Sequence, residues 1–96
     1  SMAVHESLAQ RIVVRHHLTG LTREEVPEYL GHRLRLAGCE LPLFEHAAVE
    51  ALFQATQGMP RKVNRLAHYA LTSAALAQAR QVSAEHVQAA REEVAA

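Results

Sequence analysis

The residues best suited to chemistry in this sequence lie in one short stretch, residues 58–65, which reads Gly-Met-Pro-Arg-Lys-Val-Asn-Arg. The glycine is typical of a helix end, and Pro60 is favoured at the first position of the next helix. Arg61 then falls in the first helical turn, where free N–H groups and the helix dipole attract an anion. An arginine at that point adds a charge-assisted contact that suits phosphate.

Lys62 and Arg65 strengthen the positive field, and Arg65 lies one turn beyond Arg61 on the same face. The stretch therefore predicts an anion site made by Pro60, Arg61, Lys62 and Arg65. A solvated basic patch, or ion pairs with glutamates, explains the same spacing. The sequence contains no glycine-rich phosphate loop, so the spacing alone leaves both interpretations open.

Seven histidines and one cysteine are the other residues with chemical potential. They form no H-E-x-x-H or C-x-x-C pattern, and aspartate is absent, so we predict no metal site. We interpret Cys39 as a half-buried loop residue rather than a nucleophile, although His32 and His46 are near it in sequence. No G-x-S-x-G motif occurs, and this chain by itself is not expected to be an enzyme.

Composition favours a small α-helical domain. The chain has 96 residues, and ten Lys and Arg balance ten Glu, which gives a formal net charge of zero. That balance argues against non-specific nucleic-acid binding. Abundant alanine and only 4% aromatic residues favour close-packed helices over a sheet. One cysteine excludes an internal disulfide and fits a cytoplasmic protein, and no apolar run approaches the roughly 20 residues that span a bilayer.

The helix with the clearest start is predicted from Thr22, which forms a T-x-x-E capping box with Glu25. Gly38 is the expected end of that helix. Tyr29 and Arg33 are predicted to flank its apolar face. That face has helical periodicity and consists of Val26, Leu30, Leu34 and Ala37.

Further helices are predicted at about 45–57, at 60–79 and from Ser83, which caps the last of them. Residues 4–11 are a candidate for one more short helix. Connections between these elements are short, and alanines on the inward faces allow close packing. The predicted fold class is therefore all-α, a small bundle of four to five helices.

Residues 12–14, Ile-Val-Val, are a run of β-branched residues that predicts a short strand. We find no second strand to pair with it, and a lone strand is not stable. Three interpretations remain open: pairing with another part of a larger α/β protein, pairing between copies of this chain, or another conformation. Residues 1–3 look like an expression-vector remnant, so the natural chain is expected to extend upstream.

Two motifs together resemble a known family. Residues 21–38 read L-T-x-E-E-V-x-x-Y-L-x-H-R-L-x-x-A-G, and residues 58–66 read G-M-P-R-K-V-N-R-L. The Leu-Phe pair at 43–44 and the alanine-rich stretch of residues 70–82 fit the same pattern. The sequence resembles the C-terminal lid of AAA+ ATPases related to component A of the general secretion pathway (ExeA-like) and to transposition helper ATPases. The resemblance covers roughly residues 10–94.

The resemblance implies a domain organisation and a role for one arginine. Residues 4–18 would be the tail end of the ATPase core, residues 19–96 the helical lid, and residues 18–21 the hinge between them. Arg61 would be the sensor 2 residue, which reaches toward the phosphates of ATP bound with Mg²⁺ on the core. The Walker A and Walker B motifs are absent from this sequence, so no nucleotide is expected on this chain alone.

The resemblance also implies partners: the core of the same polypeptide and neighbouring subunits of a homo-oligomer, with DNA and a membrane left open for the parent protein. It does not separate secretion from transposition. Arg11 is a conceivable arginine finger, but no motif assigns it. The alternative is a stand-alone DNA- or protein-binding module, in which residues 60–65 begin the recognition helix of a helix-turn-helix.

Overall fold

A computed structural model of the chain describes residues 20–36, 38 and 43–95. These residues form four α-helices connected by short turns, which confirms the predicted all-α bundle. In chain order the helices are α1 (Glu25–Leu36), α2 (His46–Thr56), α3 (Pro60–Leu76) and α4 (Ala84–Ala95). The predicted strand at 12–14, the predicted helix at 4–11 and Cys39 lie outside the described residues.

Helices α1 and α4 begin at side-chain caps. At α1 the predicted capping box is present: Thr22 N–H donates to Glu25 Oε1 at 2.9 Å, and Glu25 N–H donates to Thr22 Oγ1 at 3.2 Å. At α4 the predicted Ser83 cap is also present, with a histidine in the place of the glutamate. Ser83 N–H donates to His86 Nδ1 at 2.9 Å, and His86 N–H donates to Ser83 Oγ at 3.4 Å.

Helix α3 ends at Leu76, three residues earlier than the predicted end at 79. Gln78 adopts a left-handed conformation with φ 56°. Its N–H donates to Ala75 O at 3.0 Å, and Ala79 N–H donates to Ala74 O at 2.9 Å. This pair of bonds is a Schellman end, and a glutamine at its left-handed position gives no signal in the sequence.

The core contains side chains from all four helices, and α3 packs most extensively against α4. Of the two residues predicted to flank the apolar face of α1, Arg33 is exposed, whereas Tyr29 is only 2% exposed and belongs to the core. Its hydroxyl has a hydrogen-bond partner inside the bundle, which permits burial. The largest fully buried side chains are Tyr29, Leu52, Val26, Val63, Val82 and Val87.

A backbone bridge joins the segment before α2 to the segment before α4. Glu45 N–H donates to Val82 O at 2.9 Å, and Val82 N–H donates to Leu43 O at 2.6 Å. Phe44 and Val82 thereby form an isolated parallel β-bridge. The bridge fixes the relative position of the starts of α2 and α4, although neither segment forms a strand.

The segment that leads into α1, residues 20–21, is docked on the turn between α2 and α3, and we call it the docked segment. Leu21 N–H donates to Gly58 O at 2.7 Å. Both glycines at this contact have positive φ, 86° at Gly20 and 79° at Gly58. A Cβ on Gly58 would clash with Leu21 O, and a Cβ on Gly20 would lie 2.8 Å from Gln57 O. Two backbone segments therefore meet at a distance that only glycine permits.

We expect Gly58→Ala to destabilise the bundle by more than about 2 kcal/mol, because it adds a backbone clash to the strain of a positive φ. Gly38→Ala is the matched control: Gly38 has φ 88°, but a Cβ added there would meet nothing within 4 Å. It should cost only about 1 kcal/mol. Urea denaturation followed by circular dichroism measures both changes, and equal losses would contradict the close approach.

Candidate functional site: the start of helix α3

The turn between α2 and α3 is held by a buried threonine. Thr56 is 4% exposed, and its hydroxyl donates to Leu52 O at 2.7 Å. The same oxygen accepts from Gly58 N–H at 3.1 Å, and Met59 N–H donates to Thr56 O at 3.1 Å. These bonds satisfy the backbone groups of a sharp reversal inside the fold. They also fix the point from which α3 starts.

The first turn of α3 differs electrostatically from those of α1 and α4. Met59 is its N-cap residue and provides no side-chain cap, and the turn contains no acidic residue. The first bond into the helix is from Val63 N–H to Met59 O at 2.8 Å, so the amides of Arg61 and Lys62 precede it. In contrast, α1 and α4 each carry glutamate in the first turn. The start of α3 is therefore a positive helix end surrounded by cations.

Most positions of the G-x-P-R-x-V-N motif have a role inside the fold. Gly58 accepts the hydrogen bond from the docked segment, and Pro60 and Val63 are buried. Asn64 accepts a hydrogen bond from a buried tyrosine. Arg61 is exposed and makes no hydrogen bond or ion pair with any residue of the described part of the chain. The motif thus places Arg61 at the surface, where its side chain makes no hydrogen bond or ion pair that would stabilise the described part of the fold.

The two motifs of the sequence meet in space through one hydrogen bond. Tyr29 O–H donates to Asn64 Oδ1 at 2.6 Å, from α1 to α3. A short bond from a hydroxyl that is shielded from water is strong, and an unpaired partner there would be costly. The bond joins α1 to the first turns of α3 and thereby connects the two motifs.

The four predicted site residues occupy different environments. Pro60 is buried and shapes the helix start, whereas Arg61, Lys62 and Arg65 are exposed. Lys62 and Arg65 line a groove of about 410 Å³ that Arg61 does not line. The third cation of this groove is Arg91 of α4. Sequence reasoning missed Arg91 because only the packing of α4 on α3 brings it there.

The other residues singled out in the sequence do not converge in the described part of the chain. No group of three His, Cys or Glu side chains there could hold a metal ion. His32 Nε2 is buried with no hydrogen-bond partner among the described residues, and His46 is exposed at the start of α2. No described helix has the length and apolar character that a bilayer crossing needs.

The chain is similar to a component of the general secretion pathway. It is 40% identical over 67 residues to general secretion pathway protein A of Aeromonas hydrophila. The match covers 70% of this chain but only 12% of that protein, so the chain corresponds to a small part of its relative. No protein-family profile and no solved structure matches the chain. The similarity supports the secretion branch of the resemblance noted in the sequence and gives no support to the transposition branch.

We expect Tyr29→Phe to destabilise the bundle by about 1–2 kcal/mol, because it leaves Asn64 Oδ1 without its donor. Tyr69→Phe is the matched control, since Tyr69 is half-buried and its hydroxyl makes no hydrogen bond with a described residue. The control should change stability by less than about 0.5 kcal/mol. Denaturant titrations of both variants test this, and a double-mutant cycle with Asn64→Ala should give a coupling energy near the single loss.

Proposed function

We propose that this chain is the helical lid of an AAA+ ATPase of the general secretion pathway, and that Arg61 is its sensor of nucleotide phosphates. The observation that carries the proposal is the position of Arg61. It is the exposed cation of a motif whose other defined residues are used by the fold, and it stands at an uncapped, positive helix start. The similarity to a secretion pathway protein supports the choice of pathway.

The chemistry of the helix start suits a phosphate group. Guanidinium is planar and always charged, so it can donate two parallel hydrogen bonds to phosphate oxygens. The free amides and the dipole of α3 add to the same field, and Lys62 and Arg65 contribute further positive charge. No carboxylate lies in this turn, so a Mg²⁺ ion that accompanies ATP would need ligands from elsewhere. Arg61 would therefore supply half of a site, and the ATPase core the other half.

The docked segment offers a mechanical path from the phosphate to the rest of the polypeptide. Arg61 follows Gly58 by three residues, and Gly58 O holds Leu21 N–H at 2.7 Å. A pull on Arg61 by a phosphate would therefore act on the turn that carries the docked segment. Since Gly20 and Leu21 are fixed to this turn, the hinge proposed for residues 18–21 would bend ahead of Gly20. Lid movement of this kind is a common response to nucleotide state.

The parent protein would hydrolyse ATP with its core, and this chain would report the state of the nucleotide. Loss of the γ-phosphate would remove part of the contact with Arg61 and release the lid. Neighbouring subunits of a homo-oligomer would sense that movement. The match spans only 12% of the relative. We therefore propose, as part of the same hypothesis, that the parent protein has an ATPase core, forms a homo-oligomer and is cytoplasmic.

We expect Arg61→Ala, in a polypeptide that includes the ATPase core, to weaken ATP binding or hydrolysis about tenfold or more. A lost charge-assisted hydrogen bond of about 1.5–3 kcal/mol has this effect. Stability of the bundle should change by less than about 0.5 kcal/mol, because Arg61 is exposed. The measurements are nucleotide titration, ATPase rate and thermal unfolding.

Arg80→Ala is the control, since Arg80 is an exposed arginine between α3 and α4. It should leave nucleotide binding and hydrolysis unchanged. The sensor role would be refuted by an Arg61→Ala protein whose nucleotide affinity, turnover and oligomerisation all equal those of the wild type. Arg61→Lys should recover only part of the activity, because an ammonium cannot reproduce the bidentate contact.

A further inference from the structure

A second feature of the bundle is a groove with an apolar floor and a cationic rim, which we call the α2–α3–α4 groove. Its volume is about 410 Å³, within the roughly 300–1,000 Å³ typical of binding sites. The floor contains Leu66, which is 5% exposed, and Thr56, which is 4% exposed. The remaining lining residues are Ala55, Val94, Ala95, Lys62, Arg65 and Arg91.

The charges of this groove all have the same sign. Among the described residues that line it, the ionisable side chains are Lys62, Arg65 and Arg91, and none is a glutamate. None of the three makes an ion pair or hydrogen bond with a residue of the ranges 20–36, 38 and 43–95. Charges of one sign around an apolar floor create a field that favours an occupant with opposite charge.

A second groove of the same bundle provides an internal comparison. It lies between α3 and α4 further along their length, has a volume of about 480 Å³, and is also apolar. Among its lining residues in the described part of the chain, Glu93 is the ionisable one besides Tyr69, and none is a cation. Two grooves of similar size on one small bundle therefore differ in charge. Concavity between helices explains both of them, but it does not explain the cluster of cations in the first.

We propose that the α2–α3–α4 groove binds an acidic amphipathic peptide segment, with apolar side chains on the floor and carboxylates facing Lys62, Arg65 and Arg91. Such a segment matches both properties of the groove, because its apolar face would cover Leu66 and Val94 while its glutamates or aspartates meet the rim. Peptides that lie in hydrophobic grooves use anchors at i, i+3 or i+4, and i+7.

The observations favour a peptide over a nucleic acid. A nucleic-acid backbone presents phosphates along its whole length and would leave the apolar floor uncovered. The chain also has zero formal net charge, which gives little attraction for a polyanion. A carboxylate-bearing helix needs only a few local charges and gains further from burial of its apolar face.

This groove can be separated experimentally from the proposed nucleotide contact. Lys62 and Arg65 would add positive charge to both, whereas Arg91 lines the groove and Arg61 does not. Variants of Arg91 should therefore affect the peptide, and the Arg61→Ala variant should affect the nucleotide. Failure of one proposal leaves the other intact.

The test is fluorescence anisotropy of the 96-residue chain with a labelled synthetic helical peptide that has leucines at i, i+3 and i+7 and glutamates beside them. Binding should weaken with added salt. Arg65→Glu and Arg91→Glu should each weaken it about tenfold or more, because the reversed charge faces carboxylates. Arg80→Glu makes the same charge change outside the groove and should have less than about a threefold effect. Arg61→Ala should also bind the peptide normally.

Several results would overturn the proposal. One is equal binding of a peptide whose glutamates are replaced by lysines, since that would show no charge selectivity. Others are displacement of the peptide by a short DNA duplex at low salt, or no binding at any peptide concentration. Another is a loss of thermal stability in Arg65→Glu with unchanged peptide affinity. In that case Arg65 would stabilise the C-terminal end of α2 through the helix dipole and would not bind a partner.

Discussion

The approach of Gly20 to Gly58 is the constraint on which the rest of this bundle depends. It brings the backbone that leads into α1 against the backbone that joins α2 to α3, closer than any side chain would allow. The hydrogen bond from Leu21 N–H to Gly58 O then fixes the contact. The docked segment, the buried Thr56 turn and the start of α3 become one rigid unit, and the orientation of Arg61 follows from it.

Electrostatics divides the helix starts into two kinds. Helices α1 and α4 begin at side-chain caps and carry glutamates in their first turns, which complement the helix dipoles. The starts of α2 and α3 have neither, and at α3 the cations Arg61 and Lys62 also oppose the helix dipole. Such an arrangement is unfavourable for an isolated bundle. A bound anion would offset this repulsion.

Much of this structure could be predicted because the decisive signals are local. The capping box of Thr22 and Glu25, and Pro60 at the first position of α3, each involve residues within one turn, and all appear where the sequence indicates. The predicted end of α3 is too late, because Gln78 adopts a left-handed conformation without the glycine that usually marks it. The cap that His86 provides to Ser83 N–H could not be predicted either, because glutamate or glutamine usually occupies this position of a capping box.

Features that depend on tertiary contacts could not be predicted. The burial of Tyr29 requires Asn64 of another helix as its hydrogen-bond acceptor. The groove requires α4 to place Arg91 on the same cavity that Lys62 of α3 lines. Single-sequence periodicity contains no information on such pairs. The position of Arg61 at the surface of the helix start was predictable. That Lys62 and Arg65 line a groove from which Arg61 is absent was not predictable.

The modest packing of α1 has a consequence for cooperativity. Helices α2, α3 and α4 contact one another extensively, and the bridge between Phe44 and Val82 closes this group, whereas α1 packs less extensively against it. We therefore expect α1 to open locally more readily than the other three helices. It would break the Tyr29–Asn64 bond and strain the Leu21–Gly58 bond together, while the groove stayed formed. Opening of α1 would thus loosen the contacts that orient Arg61 before it disturbs the groove.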